Sequence, residues 1–290
     1  MCVTLFGWLA LQDRPAPPTD ASGMAWIEGD TFLVVHDAKR PGELDRPRVS
    51  RVQLPSSAEG VVWTPLEISW PEPEGPSHDL ESMARVSGTN TYLLAESGDD
   101  GVEYRRIYAA EYEGGTLRIE SVIPWPIAIK NVEGMAVGRV GKQFVFVCAE
   151  RAHGRSHTEL AWAPFTLHPP AFGNFQKTYL PNPGPDSPDA RPVSALEFDA
   201  KGRLYAASTR DPETEEGPFH SAVWDIGFLQ ADVAGRPRLV LRKKPVTVAT
   251  LDGLKVESLA VREGPHGSEL FVGTDDEHYG AIIRPLLARQ

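Results

Sequence analysis

Apolar residues along this chain do not recur at helical spacing. They gather in short runs rich in Val, Leu, Phe, Tyr and Thr, separated by clusters of Gly, Pro, Asp and Asn, which is the pattern of strands and turns. The most regular runs cover residues 31–35, 91–95, 143–148, 203–207 and 269–273, as in Thr31-Phe-Leu-Val-Val35 and Gln143-Phe-Val-Phe-Val-Cys148. Ahead of each stands one short phrase: Asp20-Ala-Ser-Gly-Met-Ala25, Asp79-Leu-Glu-Ser-Met-Ala84, Asn131-Val-Glu-Gly-Met-Ala136, Pro192-Val-Ser-Ala-Leu-Glu197 and Lys255-Val-Glu-Ser-Leu-Ala260. Copies lie 52 to 63 residues apart, the size of a four-stranded blade. Third strands are expected around 49–54, 107–112, 160–165, 222–228 and 281–287, and fourth strands around 61–68, 116–122, 176–180 and 238–246. The last repeat ends after its third strand. The apolar run 3–9 is expected to supply the missing one, closing the ring and removing a free sheet edge. The expected fold is therefore all-β, one β-propeller domain over residues 1–290 with five blades. Six blades with one degenerate is the alternative, and five in-register copies disfavour a β-sandwich.

The phrase also carries the candidate chemistry. In a propeller the first strand of each blade lines the axis and the second runs antiparallel beside it, so the start of the first and the end of the second share one face. The third phrase position is Ser22, Glu81, Glu133, Ser194 and Glu257, which places three carboxylates and two hydroxyls around one axial mouth. Asp37, Glu96, Glu150, Asp211 and Asp275 fall just outside. Converging carboxylates without fixed lysine partners repel, and that raises their pKa or recruits a cation. Glu81, Glu133 and Glu257 are accordingly the expected ligands of a divalent cation. Oxygen donors suit calcium best and magnesium or manganese next, and no Cys/His spacing of zinc type is present. The competing possibility is that each Glu accepts backbone N–H bonds from a neighbouring blade and only pins the ring. Glu96 and Glu150 are the candidate general bases. His36, Asp37, Arg151, Arg210 and Asp275 are the candidate contacts to a small, anionic substrate, with arginine forks on phosphate or carboxylate oxygens. The small residues that follow the third position answer crowding at the axis, and Met24, Met83, Met135, Leu196 and Leu259 are expected to pack between blades.

Composition narrows this picture. A formal charge of −11 and an isoelectric point near 5.2 argue against tracking of a nucleic-acid backbone. Two cysteines, Cys2 and Cys148, are too few for a disulfide framework. Residues 3–11 are apolar but short and lack a basic lead, so they read as a strand and not a signal peptide, which leaves a cytoplasmic location as the default. No stretch approaches the roughly 20 apolar residues of a membrane span. Nucleophile elbow, Walker loop, dinucleotide fingerprint and zinc-protease helix are all missing.

The pairs Asp79-Leu-Glu-Ser-Met-Ala84 with Tyr92-Leu-Leu-Ala-Glu96, and Asn131-Val-Glu-Gly-Met-Ala136 with Val147-Cys-Ala-Glu150, resemble the phytase-like, or esterase-like, β-propeller domains. More distantly the pattern is similar to the gluconolactonase and regucalcin propellers. The resemblance lies in repeat grammar across nearly the whole chain. It implies a calcium-type site at Glu81, Glu133 and Glu257 and hydrolysis of a phosphate or carboxylate ester. Ser22 and Ser194 depart from the family's acidic positions. A non-catalytic ligand-binding or protein-interaction propeller is the other reading.

Overall fold

The computed structural model describes residues 20–286 apart from 40–41, 44, 56–59, 130, 183–186 and 266. Five antiparallel sheets follow one another along the chain. Blade 1 holds β1 (Gly23–Glu28), β2 (Thr31–Val35), β3 (Val49–Gln53) and β4 (Val62–Pro65). Blade 2 holds β5 (Leu80–Arg85), β6 (Thr91–Glu96), β7 (Arg106–Glu113) and β8 (Thr116–Pro124). Blade 3 holds β9 (Val132–Val140), β10 (Gln143–Glu150), β11 (His157–Leu167), β12 (Pro170–Phe172) and β13 (Gln176–Pro181). Blade 4 holds β14 (Ala190–Phe198), β15 (Arg203–Arg210), β16 (His220–Ala231) and β17 (Pro237–Asp252). Blade 5 holds β18 (Val256–Gly264), β19 (Gly267–Thr274) and β20 (Ile283–Pro285).

The first strands form a closed inner ring in which β1 touches β5, β5 touches β9, β9 touches β14, β14 touches β18, and β18 returns to β1. The expected five-bladed propeller is the observed fold. Among the described residues blade 5 has three strands, and the proposed closing strand at 3–9 lies outside them. Closure is visible at the inner ring itself, where the Ala21 amide donates to the Thr274 carbonyl at 3.1 Å. Phe32 of blade 1 meets Phe271 of blade 5 with ring centroids 4.9 Å apart.

Why the phrase repeats is now physical. The buried apolar side chains form five clusters, each shared by two adjacent blades, and each takes in one residue from the fifth phrase position. Met24 packs at the junction of blades 5 and 1, Met83 at 1 and 2, Met135 at 2 and 3, Leu196 at 3 and 4, and Leu259 at 4 and 5. These residues hold blade to blade, as expected. The preceding small residue is set by clearance. A Cβ on Gly23 would lie 2.6 Å from the Met83 amide nitrogen, and one on Gly134 would lie 2.8 Å from Leu196 Cγ.

One element was not expected. β11 is long enough to pair with β13 through its first half and with β12 beyond it. The short return is held by aromatic packing, with Phe172 at 4.8 Å from Phe146 and 5.3 Å from Phe165. Cys148 is buried in the same cluster and donates weakly to the Ala161 carbonyl.

Because the Gly23 contact is to backbone, the neighbouring blade cannot yield by rotating a side chain. Gly23→Ala is expected to lower stability by about 1–3 kcal/mol in urea denaturation. Gly60→Ala, where a Cβ would meet nothing within 4 Å, should leave the midpoint unchanged.

Candidate functional site

The three glutamates of the repeat are not ordinary ladder residues. Pairing of β5 with β6 steps from Leu80↔Glu96 to Ser82↔Ala95, leaving Glu81 as the extra residue of a β-bulge. The same irregularity leaves Glu133 between Val132↔Glu150 and Gly134↔Ala149, and Glu257 between Val256↔Thr274 and Ser258↔Gly273. In blade 4 the register also shifts between Arg191 and Ala195, the interval that contains Ser194. A bulge re-aims one side chain while pairing resumes beyond it. Two of the bulges follow a left-handed backbone position, Asp79 (φ 59) and Asn131 (φ 51), a conformation that Asp and Asn tolerate best among residues with a side chain.

The mouth these residues surround is uneven in charge. On the side of blades 3, 4 and 5 the carboxylates have cationic partners, contrary to the expectation that none would. Arg151 Nε donates to Glu133 Oε1 at 2.5 Å. Arg191 donates to Glu257 at 2.9 Å and pairs with Asp211 at 2.5 Å. Lys255, 4% exposed, sits amid four carboxylates: Asp275 at 2.7 Å, Glu277 at 2.5 Å, Glu257 at 3.3 Å and Asp211 at 3.6 Å. Burial pushes Glu257 up to about 8 against the pull of Lys255 and Arg191. Sequence reading missed Lys255 and Arg191. The signal for Lys255 was its place at the head of the fifth phrase, where two other copies have Asp and one Asn.

On the side of blades 1 and 2 the cations are fewer and looser, Lys39 near Asp79 and Arg46 near Asp37. Asp37 after β2, Asp79 before β5 and Glu81 on β5 each offer an oxygen, and these three atoms lie within 4.8 Å of one another. Asp79 and Glu81 are buried and Asp37 is half-buried. Asp79 Oδ2 accepts from the Ser97 hydroxyl, whereas Oδ1 is buried without a hydrogen bond of good geometry, its nearest cation being Lys39 Nζ at 3.3 Å. Glu81 has no hydrogen-bond or ion-pair partner among the described residues. Burial raises the Glu81 carboxyl well above its usual range, and Glu133, Asp79, Glu257 and Asp37 add to the effect. Burial also pushes Asp37 up to about 7, with Asp20 adding and Arg46, 3.5 Å away, opposing. An all-oxygen set with an orphaned buried oxygen fits a hard divalent cation. Of the expected ligands only Glu81 belongs to this trio; Glu133 and Glu257 stand at the same mouth with their arginines and lysine, and Asp79 was not among the candidates.

The other candidates fall in two groups. Glu96 is fully buried inside blade 2, where Arg106 grips it from Nε at 2.7 Å and Nη2 at 2.5 Å, Tyr108 donates at 3.2 Å and the His78 amide at 2.8 Å. That amide immediately precedes Asp79, so Glu96 positions the approach to the acidic trio. His36 is likewise buried, with Nε2 at 2.8 Å from Ser50 Oγ and Nδ1 at 3.0 Å from the Asp20 carbonyl. Asp20 in turn accepts from the Asp37 amide at 3.0 Å and pairs with Arg46 at 2.5 Å, fixing the turn that presents Asp37. Glu150 is partly buried at the end of β10, Asp275 belongs to the Lys255 network, and Arg210 is half-exposed at the end of β15.

No family model matches the chain, and no curated protein matches it in sequence. Solved structures match in shape. An exo-1,5-α-L-arabinanase from a bovine ruminal metagenomic library superimposes with TM-score 0.53 over 96% of each chain at 8% identity. An endo-arabinanase from Bacillus licheniformis gives 0.48 at 11% identity over 93% of this chain and 94% of that one. A putative 6-phosphogluconolactonase from Bacteroides uniformis gives 0.40 at 10% identity over 91% and 83%. At such identities the first likeness supports the propeller fold and nothing about the reaction.

The Glu96–Arg106 pair carries its own expectation. Arg106→Ala leaves a carboxylate buried without its counter-charge and should cost about 3–5 kcal/mol in chemical denaturation. The double replacement Glu96→Leu with Arg106→Met should lose clearly less, since it removes both charges together.

Proposed function

We propose that this chain is a divalent-cation-dependent hydrolase acting on a small phosphate or carboxylate ester, with calcium the preferred ion. The observation that carries it is the Asp37, Asp79 and Glu81 trio, three convergent carboxylates of which one is unpartnered and another has an orphaned buried oxygen. Two of the three are buried, and their mutual repulsion is relieved by a dication far more completely than by Lys39, which is half-exposed. A bound ion would supply Lewis-acid polarisation of an ester oxygen. In this reading Asp37, Asp79 and Glu81 hold the ion, and Asp20, His36, Arg46 and Glu96 fix the two loops that present them. Glu150, at the mouth's edge, is the candidate proton acceptor. Arg151 orients an anionic substrate while it neutralises Glu133.

Calorimetric titration of calcium is expected to show one site, weakened by at least tenfold in Glu81→Gln and in Asp79→Asn. Turnover of p-nitrophenyl esters or phosphates should be lost with the metal, on chelation and in Glu81→Gln alike. Full turnover in a metal-free Glu81→Gln protein would overturn the reading. Metal binding with no hydrolysis across such a panel would favour a ligand-binding propeller in its place.

A pH dependence follows with a definite sign. Asp37 is raised from 3.8 to about 7, so without an ion its contribution to stability is full below about 4 and is lost as pH rises through about 7. Calcium reverses this by favouring the ionised carboxylates. The rise in Tm on adding calcium should therefore be larger at pH 8 than at pH 5.5, and Asp37→Asn should flatten the difference.

A further inference from the structure

A cavity of about 200 Å³ opens between blades 3 and 4 on the same face as the mouth, bounded by the start of β14, the end of β15, the start of β16 and the end of β17. A dry cavity of roughly 150 Å³ suffices for a benzene ring, so this one has room for a single ring and a small substituent. Its wall includes the indole of Trp224, fixed by donation from Nε1 to Ser208 Oγ at 2.8 Å and packed on the apolar cluster between the two blades. Ala190 and Ala222 keep the space open beside it.

The charged side chains that line this cavity are arginines, with His220, neutral hydroxyls and an amide beside them. Arg210 is half-exposed, and its nearest carboxylate, Asp189, stands 3.6 Å away, too far for a hydrogen bond. His220 lines the opening and is backed through Nδ1 by Asp252. Arg191 is 5% exposed, with Nη1 committed to Glu257 and Nη2 to Asp211, while its buried Nε has no hydrogen-bond acceptor. Among the described residues the lining holds no Asp or Glu. Each of these groups has a carboxylate partner outside the lining, Asp189 for Arg210, Asp252 for His220, and Asp211 and Glu257 for Arg191. In a chain of net charge −11, an aromatic-walled cavity whose charged lining groups among the described residues are two arginines offers a ligand charge as well as shape.

We infer that this cavity is a binding pocket for a ring-bodied anion, a small cyclic or aromatic carboxylate or phosphate monoester, whose ring lies against Trp224 and whose oxygens face Arg210 and His220. The pocket is separate from the cation trio, and the inference does not need a metal. Arg191 lines the pocket and also pairs with Glu257 at the mouth, without touching the trio.

The test is calorimetric titration of the full chain at low salt with benzoate and phenyl phosphate, against acetate, inorganic phosphate and benzamide. The two ring anions are expected to bind at one site, with acetate, phosphate and benzamide at least about tenfold weaker because each lacks the ring or the charge. Arg210→Glu and Trp224→Ala should each weaken benzoate about tenfold or more, and Trp224→Phe, which keeps a ring, should largely restore it. Arg210 is half-exposed, so its variant tests the pocket even if Trp224→Ala fails to fold. Glu81→Gln should leave benzoate binding intact, which separates this pocket from the proposed ion site. Binding of benzamide as tight as benzoate, affinity unchanged in Arg210→Glu, loss of benzoate binding in Glu81→Gln, or no binding of either ring anion would each overturn the inference.

Discussion

Crowding of five first strands around one axis is the constraint from which the rest of the molecule follows. First strands packed against one another at so short a radius leave little volume between one backbone and the next. Gly23 and Gly134 occupy such contacts, where a single added carbon would run into the neighbouring blade. The next residue along points to the opposite face of its strand, and there a methionine or leucine joins the blade to the preceding one by apolar packing. The small residue of one phrase thus makes room for the large residue of the next, as Gly23 does against Met83 and Gly134 against Leu196.

The same crowding brings like charges together, and the chain meets that cost unequally around the ring. Blades 3, 4 and 5 place a guanidinium or an ammonium beside each carboxylate, with Lys255 serving several at once. Blades 1 and 2 gather three carboxylates with looser counter-charges, Lys39 at 3.3 Å from Asp79 and Arg46 at 3.5 Å from Asp37, and among the described residues none pairs with Glu81. Stability alone would favour the first solution everywhere, because buried carboxylates without counter-charges are costly. That one sector keeps the looser arrangement is what motivates the proposed cation there. The positioning residues agree: Glu96 and Asp20 are both used to fix the short segments that carry Asp79 and Asp37.

Most of the fold was legible in the sequence because the phrase, the turn and the following apolar run repeat as a unit. Blade number and strand order follow from that grammar, and so does the packing role of the methionines. The candidate site was legible only in part. Glu81, Glu133 and Glu257 were found because they recur at one phrase position. The partners that distinguish them do not recur: Arg191 lies outside the phrase, Arg46 in a loop between strands, and Lys255 where three other blades have an acid or amide. Pairing across blades joins residues 66 positions apart, as with Arg191 and Glu257, and no local pattern encodes such a contact. Glu96 was misleading for the opposite reason. It ends the second strand as Glu150 does, but the next strand of blade 2 begins with an arginine, which draws the carboxylate inward.

The bulges have a consequence for how such a protein can change. A residue that sits in register answers to its partner across the ladder, so replacing it disturbs a blade. The residue inserted by a bulge has no such partner, and the hydrogen-bonded ladder closes on either side whatever its side chain. Chemistry at the mouth is in this way decoupled from architecture. Ser194, within the shifted segment of blade 4, already shows the position rewritten without loss of the sheet. Four addresses around one axis can be edited singly, and a new specificity can arise by substitution alone, with no insertion or rearrangement of the frame that holds it.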